Sequence, residues 1–279
     1  SDSPIALGEF LADYLVDGGK YYLSSNYSYD PPETEYKYSN VGVSLLAYLV
    51  EVLSGLDFEA YCQQNIFEPL GMHETSFRLS ALDEDLLATP YHLEGEQLSP
   101  LPHYGFPVYP AGSLRTSSLQ LSRFLSMYMN EGIYNDIRIL EASSIDLITT
   151  RQFPDILEDN PMGLIWNFDF FFYDHGGSCP GAVSDYGFSF SKHSGVISIL
   201  NTDNPFMSGF MEFLLYYYSL EYEPFSIKSI TINDEDNDMV LEPYEEVELI
   251  IELRNNMNIS EQISDVIMVL SNQDPNVSI

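Results

Sequence analysis

The chain has 279 residues, with 43 Asp and Glu residues against 10 Lys and Arg residues, and its formal net charge is −33. Hydrophobic residues make up 45% and aromatic residues 14% of the chain, which is enough for a packed core and excludes a disordered acidic polymer. A surface this negative also excludes a general electrostatic footprint for DNA, RNA or an anionic membrane. The plainest interpretation of the charge is solubility in a salty or extracellular setting.

Cysteine content and hydropathy bear on the compartment and on membrane topology. Two cysteines, Cys62 and Cys179, are too few for a disulfide framework, and both a single bridge and two unpaired thiols remain open. No run of about 18 or more apolar residues occurs, which predicts that no helix spans a bilayer. Residues 1–4 lack Met and a basic stretch, so we expect neither a signal peptide nor the start of translation there.

Helical spacing of apolar residues dominates the first quarter of the chain. It predicts a helix over 5–17 and a strong, buried helix over 41–53, which Gly55 stops. Asp57 is a favourable N-cap for a further helix that follows directly and ends near Ile66.

The middle of the chain changes from helical to alternating periodicity. Residues 67–112 are rich in Pro and Gly and predict mostly loop, whereas 117–131 and 141–150 predict helices. The pattern then alternates with period two, which is typical of strands. The predicted strands cover 164–173, 182–190 and 196–200, with glycine-containing turns at 175–181 and 192–195, and a predicted helix over 207–220 follows.

The composition shifts near Pro224, which predicts a domain boundary between 1–224 and 225–279. The second segment contains three predicted strands and no helix, a pattern that favours part of an Ig-like antiparallel β-sandwich. These strands cover 226–232, 246–254 and 264–270. The acidic loop 233–238 between the first two strands offers oxygen ligands for Ca²⁺, but it lacks the EF-hand pattern, so a solvated turn is favoured.

Two short motifs carry side chains with useful chemistry. Tyr38-Ser39-Asn40 stands immediately before the strong helix, where a phenol can transfer a proton and a carboxamide can orient a substrate amide. The plainer alternative is that Ser39 is an N-cap and the neighbouring residues are there by chance in a tyrosine-rich chain.

The second motif is His175-Gly176-Gly177-Ser178. Paired glycines let a substrate backbone approach closely and leave N–H groups available to an oxyanion. The plainer alternative is a glycine turn that carries a surface histidine.

The two motifs and their surroundings together resemble the serine β-lactamase and penicillin-binding protein superfamily, in its class C-like branch of D-alanyl-D-alanine carboxypeptidases and esterases. The resemblance rests on YKYSNVGVSLLAYLVEVLSG at 36–55, IFEPLGM at 66–72, Thr75, PAGSLRTS at 110–117, GLIW at 163–166 and HGGSCPG at 175–181. It covers about residues 1–222 in the family's order. It implies an α+β fold of the β-lactamase/transpeptidase type, in which helices flank an antiparallel sheet. We expect this domain to be incomplete at its N-terminus and to be followed by part of a β-sandwich.

The resemblance also implies roles for individual residues. Tyr38 would be the general acid and base, and Asn40 would hold the substrate amide. His175 would stand where many members have lysine, and the backbone N–H of Ser178 would supply half of the oxyanion hole. Substrate would also lie against Gly112, Gly176 and Gly177. No metal and no cofactor are implied.

The nucleophile of this superfamily is the serine of a Ser-x-x-Lys motif, one helical turn from its lysine. The one such match, Ser189 to Lys192, falls at a predicted strand end and is interpreted as chance. We therefore expect the nucleophile segment to be absent from the chain, which as it stands should not be acylated.

The function expected from the resemblance is a serine hydrolase that cleaves amide, D-peptide or ester bonds through an acyl-enzyme. His175 is not a permanent cation, which favours a peptidase or esterase over a true β-lactamase. The alternative is a non-catalytic surface or binding protein that keeps the fold. We expect a small-molecule or peptide substrate, a secreted, periplasmic or cell-surface bacterial location, and surface attachment through the C-terminal module. Neither a nucleic-acid partner nor an integral membrane segment is expected.

Overall fold

The computed structural model describes two compact units, Ser1–Met211 and Glu212–Ile279. In the first unit it describes residues 2–31, 34–95, 97–152, 162–169, 172–191 and 193–203. In the second unit it describes the backbone of 225–233, 248–255 and 266–271. The predicted helix over 207–220 lies outside the described residues. The boundary near Pro224 stays a prediction.

The first unit begins with three helices, α1 (Leu7–Leu15), α2 (Asn40–Ser54) and α3 (Phe58–Cys62). The last of these continues into a π-helical turn over Gln63–Phe67. Gly55 ends α2 in the left-handed conformation, with φ 73°, which a glycine adopts without steric cost. The three predicted helices are confirmed.

The burial of α2 differs from the sequence expectation. Ser44 and Ala47 are the buried residues of this helix, while its large apolar residues Leu46, Val52 and Leu53 are 60%, 61% and 85% exposed. Periodicity correctly identified the helix, but it does not specify which face packs against the rest of the chain. The prediction of a buried helix is wrong for the described part of the chain.

Ser39 is the N-cap of α2, because its hydroxyl accepts a hydrogen bond from the Gly42 N–H at 2.9 Å. This bond satisfies one of the N–H groups that the first helical turn leaves unpaired. It also fixes the backbone between Tyr38 and Asn40.

We expect Ser39→Ala to lower the free energy of unfolding by about 1 kcal/mol, the usual contribution of an N-cap side chain. Ser39→Asp keeps an acceptor at the cap and serves as the matched control. The measurement is urea unfolding of the chain. Equal midpoints for Ser39→Ala and Ser39→Asp would show that the cap contributes nothing.

Two hairpins lie in segments where the sequence predicted none. One pairs β1 (Tyr91–Glu94) with β2 (Gln97–Pro100), and the other pairs β3 (Ile133–Tyr134) with β4 (Ile137–Arg138). All four strands are short, and their partly exposed, mixed side chains give little periodic signal. The prediction of mostly loop over 67–112 is confirmed, and the first hairpin is a short exception within it.

Helices α4 (Ser118–Met129) and α5 (Ala142–Thr149) confirm the two predicted helices of the middle segment. They precede an antiparallel sheet of four strands in the order β5-β6-β7-β8. The strands are β5 (Asn167–Asp169), β6 (Phe172–Cys179), β7 (Ala182–Ser189) and β8 (Ser194–Leu200). Helices together with antiparallel sheets give the predicted α+β class.

The strand boundaries differ from the prediction in one place that matters for function. The predicted turn at 175–181 is wrong over 175–179, since these residues form the second half of β6 and only Pro180 and Gly181 turn. The glycine pair therefore lies within a strand, and the paired glycines mark a close approach of neighbouring side chains. The predicted strand over 164–173 divides between β5 and the beginning of β6.

Packing between α4 and the sheet forms the core nearest to this strand. Phe188 of β7 is fully buried, and its ring lies 5.0 Å from Trp166 and 5.5 Å from Tyr128 of α4. Large aromatic rings in offset and edge-on contacts bury much apolar area in a fixed geometry. The sheet is thereby held against α4.

Both cysteines are unpaired thiols in the structure, so the single bridge is excluded. Cys62 is buried, and burial raises the pKa of its thiol to about 12. A thiol that stays protonated at neutral pH is not a nucleophile.

The second unit contains a three-stranded antiparallel sheet with β10 in the centre. Its strands are β9 (Phe225–Asn233), β10 (Glu248–Asn255) and β11 (Val266–Ser271), as the alternating pattern predicted. The acidic loop over 233–238 lies outside the described residues apart from Asn233.

No single helix in the described part of the chain is long and apolar enough to cross a membrane. The bent pair Asn40–Ser54 and Phe58–Phe67 reaches that threshold by length and composition, with an angle of 78° between its halves.

Candidate active site

The fold brings the two sequence motifs together. Tyr38, immediately before the N-cap of α2, faces His175 of β6 with a distance of 6.3 Å between the ring centroids. Tyr38 is 58% exposed, so its phenol is accessible to a substrate. An accessible phenol beside an imidazole is an arrangement that can transfer protons.

Tyr186 of β7 also packs against His175. The two residues are register partners in the sheet, and their rings stack at 6.2 Å with an interplanar angle of 28°. Burial raises the pKa of Tyr186 to about 12, so its phenol stays protonated at neutral pH. Tyr186 therefore serves as a packing surface that fixes the imidazole plane.

The glycine pair follows His175 along β6 and is exposed. A Cβ atom at Gly176 would lie 2.6 Å from Asp185 Oδ1, and one at Gly177 would lie 2.9 Å from Ser184 Oγ. Both distances are too short for a side chain without movement of its neighbour. Glycine at these positions keeps the surface of the strand open.

One edge of β6 is open beside the motif. Strand β5 pairs with β6 only from Phe172 to Asp174, whereas β7 pairs with β6 as far as Cys179. Among the described residues, no strand pairs with the other edge at His175-Gly176-Gly177-Ser178. Unpaired N–H and C=O groups on such an edge can bind an extended substrate backbone.

The remaining predicted site residues are Asn40 and Gly112, and they lie on two different elements of the fold. Asn40 is the first residue of α2 and is exposed, directly after the cap. Gly112 follows a 3₁₀ turn over Tyr109–Ala111, and the Phe106 ring lies 3.2 Å from the place of its Cβ. No atom of Tyr38 or His175 lies within 4 Å of the place of that Cβ.

The loop that carries Gly112 is nevertheless attached to the end of β6. The Tyr104 hydroxyl donates to the Pro180 carbonyl at 3.0 Å, directly after the motif strand. The Arg115 guanidinium donates to the carbonyls of Tyr104 at 2.6 Å and Ser113 at 3.1 Å. Hydrogen bonds from a guanidinium restrain this loop next to the turn that follows Ser178.

The Ser-x-x-Lys match at Ser189 is not a nucleophile site. Ser189 is fully buried at the end of β7, whereas Lys192 lies outside the described residues. A serine inside a strand is not placed one helical turn from its lysine. The interpretation of this match as chance is supported.

Residues without any sequence signal fix the turn after the motif. The Asp203 carboxylate accepts hydrogen bonds from the Leu93 N–H at 2.8 Å and the Gly181 N–H at 3.2 Å. It also lies 2.6 Å from His92 Nδ1. Asp203 thus joins β1, which precedes it by more than a hundred residues, to the turn between β6 and β7.

The two ionisable groups of this contact depend on pH in opposite directions. The hydrogen bond between His92 and Asp203 raises the pKa of the imidazole. The stabilisation that His92 contributes is therefore fully present below the ordinary histidine pKa of about 6.5, and it is lost as pH rises through the raised pKa. Partial burial opposes ionisation of Asp203, but its hydrogen bonds with His92, Leu93 and Gly181 outweigh burial and lower its pKa. Its contribution is present above the ordinary carboxyl pKa of about 3.9 and is lost as pH falls through the lowered pKa.

We expect the contact to stabilise the first unit most between about pH 4 and 6.5. His92→Gln should lower the melting temperature at pH 5.5 and should change it less at pH 8.5. The exposed histidine variant His73→Gln is the control and should leave the profile unchanged. An identical pH profile for His92→Gln and the unmodified chain would contradict the role of the pair.

No group of three or more His, Cys, Asp or Glu side chains in the described part of the chain is arranged to hold a metal ion.

A family model described as Beta-lactamase matches residues 15–208, which is more than half of the chain. Penicillin-binding protein 4 of Amycolatopsis lactamdurans is 26% identical over 196 residues, which cover 64% of this chain and 50% of that protein. The chain thus matches about half the length of this relative.

Solved structures share the fold. The octameric penicillin-binding protein homologue from Pyrococcus abyssi superposes with a TM-score of 0.56 at 20% identity, covering 98% of this chain and 72% of that chain. The β-lactamase/D-alanine carboxypeptidase from Pseudomonas syringae gives 0.54 at 17% identity, covering 68% and 61%. These similarities confirm the β-lactamase/transpeptidase-like fold, and together with the family model they show that the chain belongs to the β-lactamase family.

Proposed function

We propose that the protein containing this chain is a serine hydrolase that cleaves an amide, D-peptide or ester bond through an acyl-enzyme. The observation that carries the proposal is the placement of the Tyr38 phenol 6.3 Å, ring to ring, from His175, beside the open glycine edge of β6. A proton-transfer group next to a backbone edge is what an acyl-transfer site requires.

The proposed reaction has two steps. A serine Oγ outside residues 1–279 attacks the carbonyl carbon, and its proton passes towards Tyr38. The oxyanion accepts a hydrogen bond from the Ser178 N–H, and Asn40 holds the substrate amide. The C–N or C–O bond then breaks as the phenolic proton of Tyr38 passes to the leaving group and the serine proton takes its place on the phenolic oxygen. Water adds to the acyl carbon, which releases the acid and restores the serine hydroxyl.

The finer assignment is a D-peptidase or esterase of the class C-like branch. His175 supports it, because an imidazole is a weaker anchor for a β-lactam carboxylate than a permanent cation is. The structural neighbour from Pseudomonas syringae is a β-lactamase/D-alanine carboxypeptidase. We propose a small-molecule or peptide substrate that lies against Gly112, Gly176 and Gly177.

The second unit and the location are part of the proposal. A three-stranded sheet after the hydrolase unit is consistent with an Ig-like module that acts as a spacer or surface attachment. The net charge of −33 suits a protein that works outside the cytoplasm, in the periplasm or at a bacterial surface.

The second candidate function is a non-catalytic surface or binding protein. It is favoured by one observation, that the only Ser-x-x-Lys match begins at the buried Ser189. Such a protein would bind a peptide along β6 without being acylated.

The deciding experiment is intact-protein mass spectrometry after incubation with benzylpenicillin or with an activated ester. The sample is the protein expressed from the start of its own reading frame, and residues 1–279 serve as the control. We expect a covalent adduct on the former and none on the latter. No adduct with either reagent, in a reading frame that lacks an upstream Ser-x-x-Lys, would contradict the enzyme and favour the binding protein.

A further inference from the structure

The turn between β6 and β7 has a geometry that does not match the twist of a hairpin. Cys179 and Ala182 are register partners, so the hairpin closes through Pro180 and Gly181. The proline ring fixes φ at about −65°, and Gly181 has φ 79°, which together are the values of a type II turn. Strands that are joined by a two-residue turn of type I or II tend to splay, because these turns twist against the strands. This hairpin therefore requires support from outside its own two strands.

The support is applied to a single peptide group in the middle of the turn. The carbonyl of Pro180 and the N–H of Gly181 belong to the same peptide unit. The Tyr104 hydroxyl donates to this carbonyl at 3.0 Å, and Asp203 Oδ2 accepts from this N–H at 3.2 Å. These two hydrogen bonds are called the turn clasp below. Because the C=O and the N–H point to opposite sides of a planar peptide, the turn clasp restrains the rotation that would convert type II to type I.

Both side chains of the turn clasp are held in place by the rest of the first unit. The Asp203 side chain is 15% exposed, and its carboxylate also contacts the Leu93 N–H at 2.8 Å and His92 Nδ1 at 2.6 Å. The backbone at Tyr104 is restrained by the Arg115 guanidinium, which donates to its carbonyl at 2.6 Å. Burial raises the pKa of the Tyr104 phenol, so its hydroxyl remains a donor at neutral pH. The turn clasp is therefore formed before any substrate binds.

The turn determines the direction of the N–H groups along β6. In an antiparallel pair, successive residues bond alternately to the facing strand and to the opposite side. Cys179 closes the hairpin, so its N–H is directed at β7, and the N–H of Ser178 is directed at the open edge. Asp174 has the same alternation as Ser178, and it pairs with Asn167 of β5 on that edge. Splaying of the hairpin would therefore change the direction of the Ser178 N–H.

We propose that Asp203 and Tyr104 are positioning residues for the acyl-transfer edge of β6, because the turn clasp holds the Ser178 N–H towards the substrate carbonyl. Neither residue touches the reacting atoms. A donor stabilises a developing oxyanion most when it is fixed before the reaction begins. That an oxyanion forms beside Ser178 rests on the proposed function, whereas the restraint of the turn does not.

The first test compares an activated ester with its thionoester, in which sulfur replaces the carbonyl oxygen. Sulfur is larger than oxygen and accepts hydrogen bonds more weakly, so a fixed N–H favours the ester. In the protein expressed from its own reading frame, Tyr104→Phe and Asp203→Ala should each slow acylation by the ester about 10- to 100-fold. Acylation by the thionoester should change by less than about threefold, since it gains little from the N–H. A purely structural role would slow both reagents equally.

Two variants that lose similar hydrogen bonds elsewhere serve as matched controls. Tyr27→Phe removes a hydroxyl that donates to the Leu15 carbonyl at 2.5 Å. Asp57→Ala removes a carboxylate that accepts from the Glu59 N–H at 3.0 Å. Neither bond involves β6 or β7, so the ratio of ester to thionoester rates should stay at the value of the unmodified protein.

The second test does not depend on catalysis. Hydrogen exchange of residues 1–279 is followed by mass spectrometry in peptides that cover 172–182. Release of the turn should expose the N–H groups that bond to β7, so exchange there should be faster by about tenfold in Tyr104→Phe and in Asp203→Ala. Peptides from α4 should exchange at the rate of the unmodified chain.

The two measurements separate this inference from the proposed function. Equal slowing with ester and thionoester would overturn the proposal, as would unchanged exchange over 172–182 in both variants. Faster exchange in the variants without an adduct on the unmodified protein would support the turn clasp and contradict the hydrolase. An adduct whose ester-to-thionoester ratio is the same in every variant would support the hydrolase and overturn the positioning role.

Discussion

Tyr38→Phe is expected to lower the rate of acylation of the protein expressed from its own reading frame by about 100- to 10,000-fold, the range for loss of a general acid–base group. The substitution removes only the phenolic oxygen. The ring that lies 6.3 Å from His175 remains, and 58% of Tyr38 is exposed, so the fold should be unaffected. The loss should therefore appear in the rate of adduct formation and not in the melting temperature.

Tyr36→Phe is the matched control for this prediction. Tyr36 stands two residues earlier in the same segment and is 36% exposed, and burial raises the pKa of its phenol above the usual range. It should be acylated at the rate of the unmodified protein. The measurement is the rate of mass increase with an activated ester, followed over pH. A Tyr38→Phe rate within about threefold of the unmodified rate would exclude general acid–base catalysis by this phenol.

The ends of helix α2 could be predicted from the sequence because local residues determine them. The cap at Ser39 and the stop at Gly55 are local effects, so the bounds of α2 could be predicted from neighbouring residues. The approach of Tyr38 to His175 is not local. No local pattern specifies it: the resemblance implies only that both residues belong to one site, and in the structure their ring centroids lie 6.3 Å apart.

Long-range polar contacts could not be predicted in this way. Asp203 bonds to His92 and Gly181 through a sheet register that no local pattern specifies. The exposed side of α2 escaped prediction for a related reason, because periodicity identifies an apolar face but not its partner. The turn predicted at 175–181 was wrong because glycine pairs also occur in strands, where neighbouring side chains leave no space for a Cβ.

The largest effect on stability is expected for Glu59→Ala. Glu59 is 8% exposed, and its carboxylate accepts hydrogen bonds from Ser76 Oγ at 2.6 Å, the Phe77 N–H at 2.8 Å and Gln63 Nε2 at 2.9 Å. Alanine would leave the buried Phe77 N–H without its acceptor, and Gln63 Nε2 and Ser76 Oγ would keep only the carbonyls of Thr75 and Arg78. Since each bond to a charged group contributes about 1.5 to 3 kcal/mol and the losses are not additive, we expect the free energy of unfolding to fall by about 3 to 5 kcal/mol.

This network also supports the loop that carries Gly112. Ser76 pairs with Arg115 through reciprocal backbone hydrogen bonds of 3.1 and 2.9 Å, so the Glu59 carboxylate holds the segment against which that loop lies. Loss of Glu59 should therefore loosen the loop as well as α3.

The chain allows a direct measurement of this loss. Trp166 is the only tryptophan and is 2% exposed in the first unit, so its fluorescence during urea unfolding follows that unit separately from the second. Glu68→Ala, at an exposed position in the turn after the π-helical segment, is the control and should change the free energy by less than about 0.5 kcal/mol. Glu59→Gln keeps one acceptor oxygen, but its NH₂ group would face other hydrogen-bond donors. We therefore expect it to lower the free energy of unfolding by an amount between those of Glu68→Ala and Glu59→Ala. If Glu59→Ala and Glu68→Ala unfold at the same urea concentration, the carboxylate does not hold α3 to the segment at Ser76, and the Gly112 loop must be supported by Tyr104 and Arg115 instead.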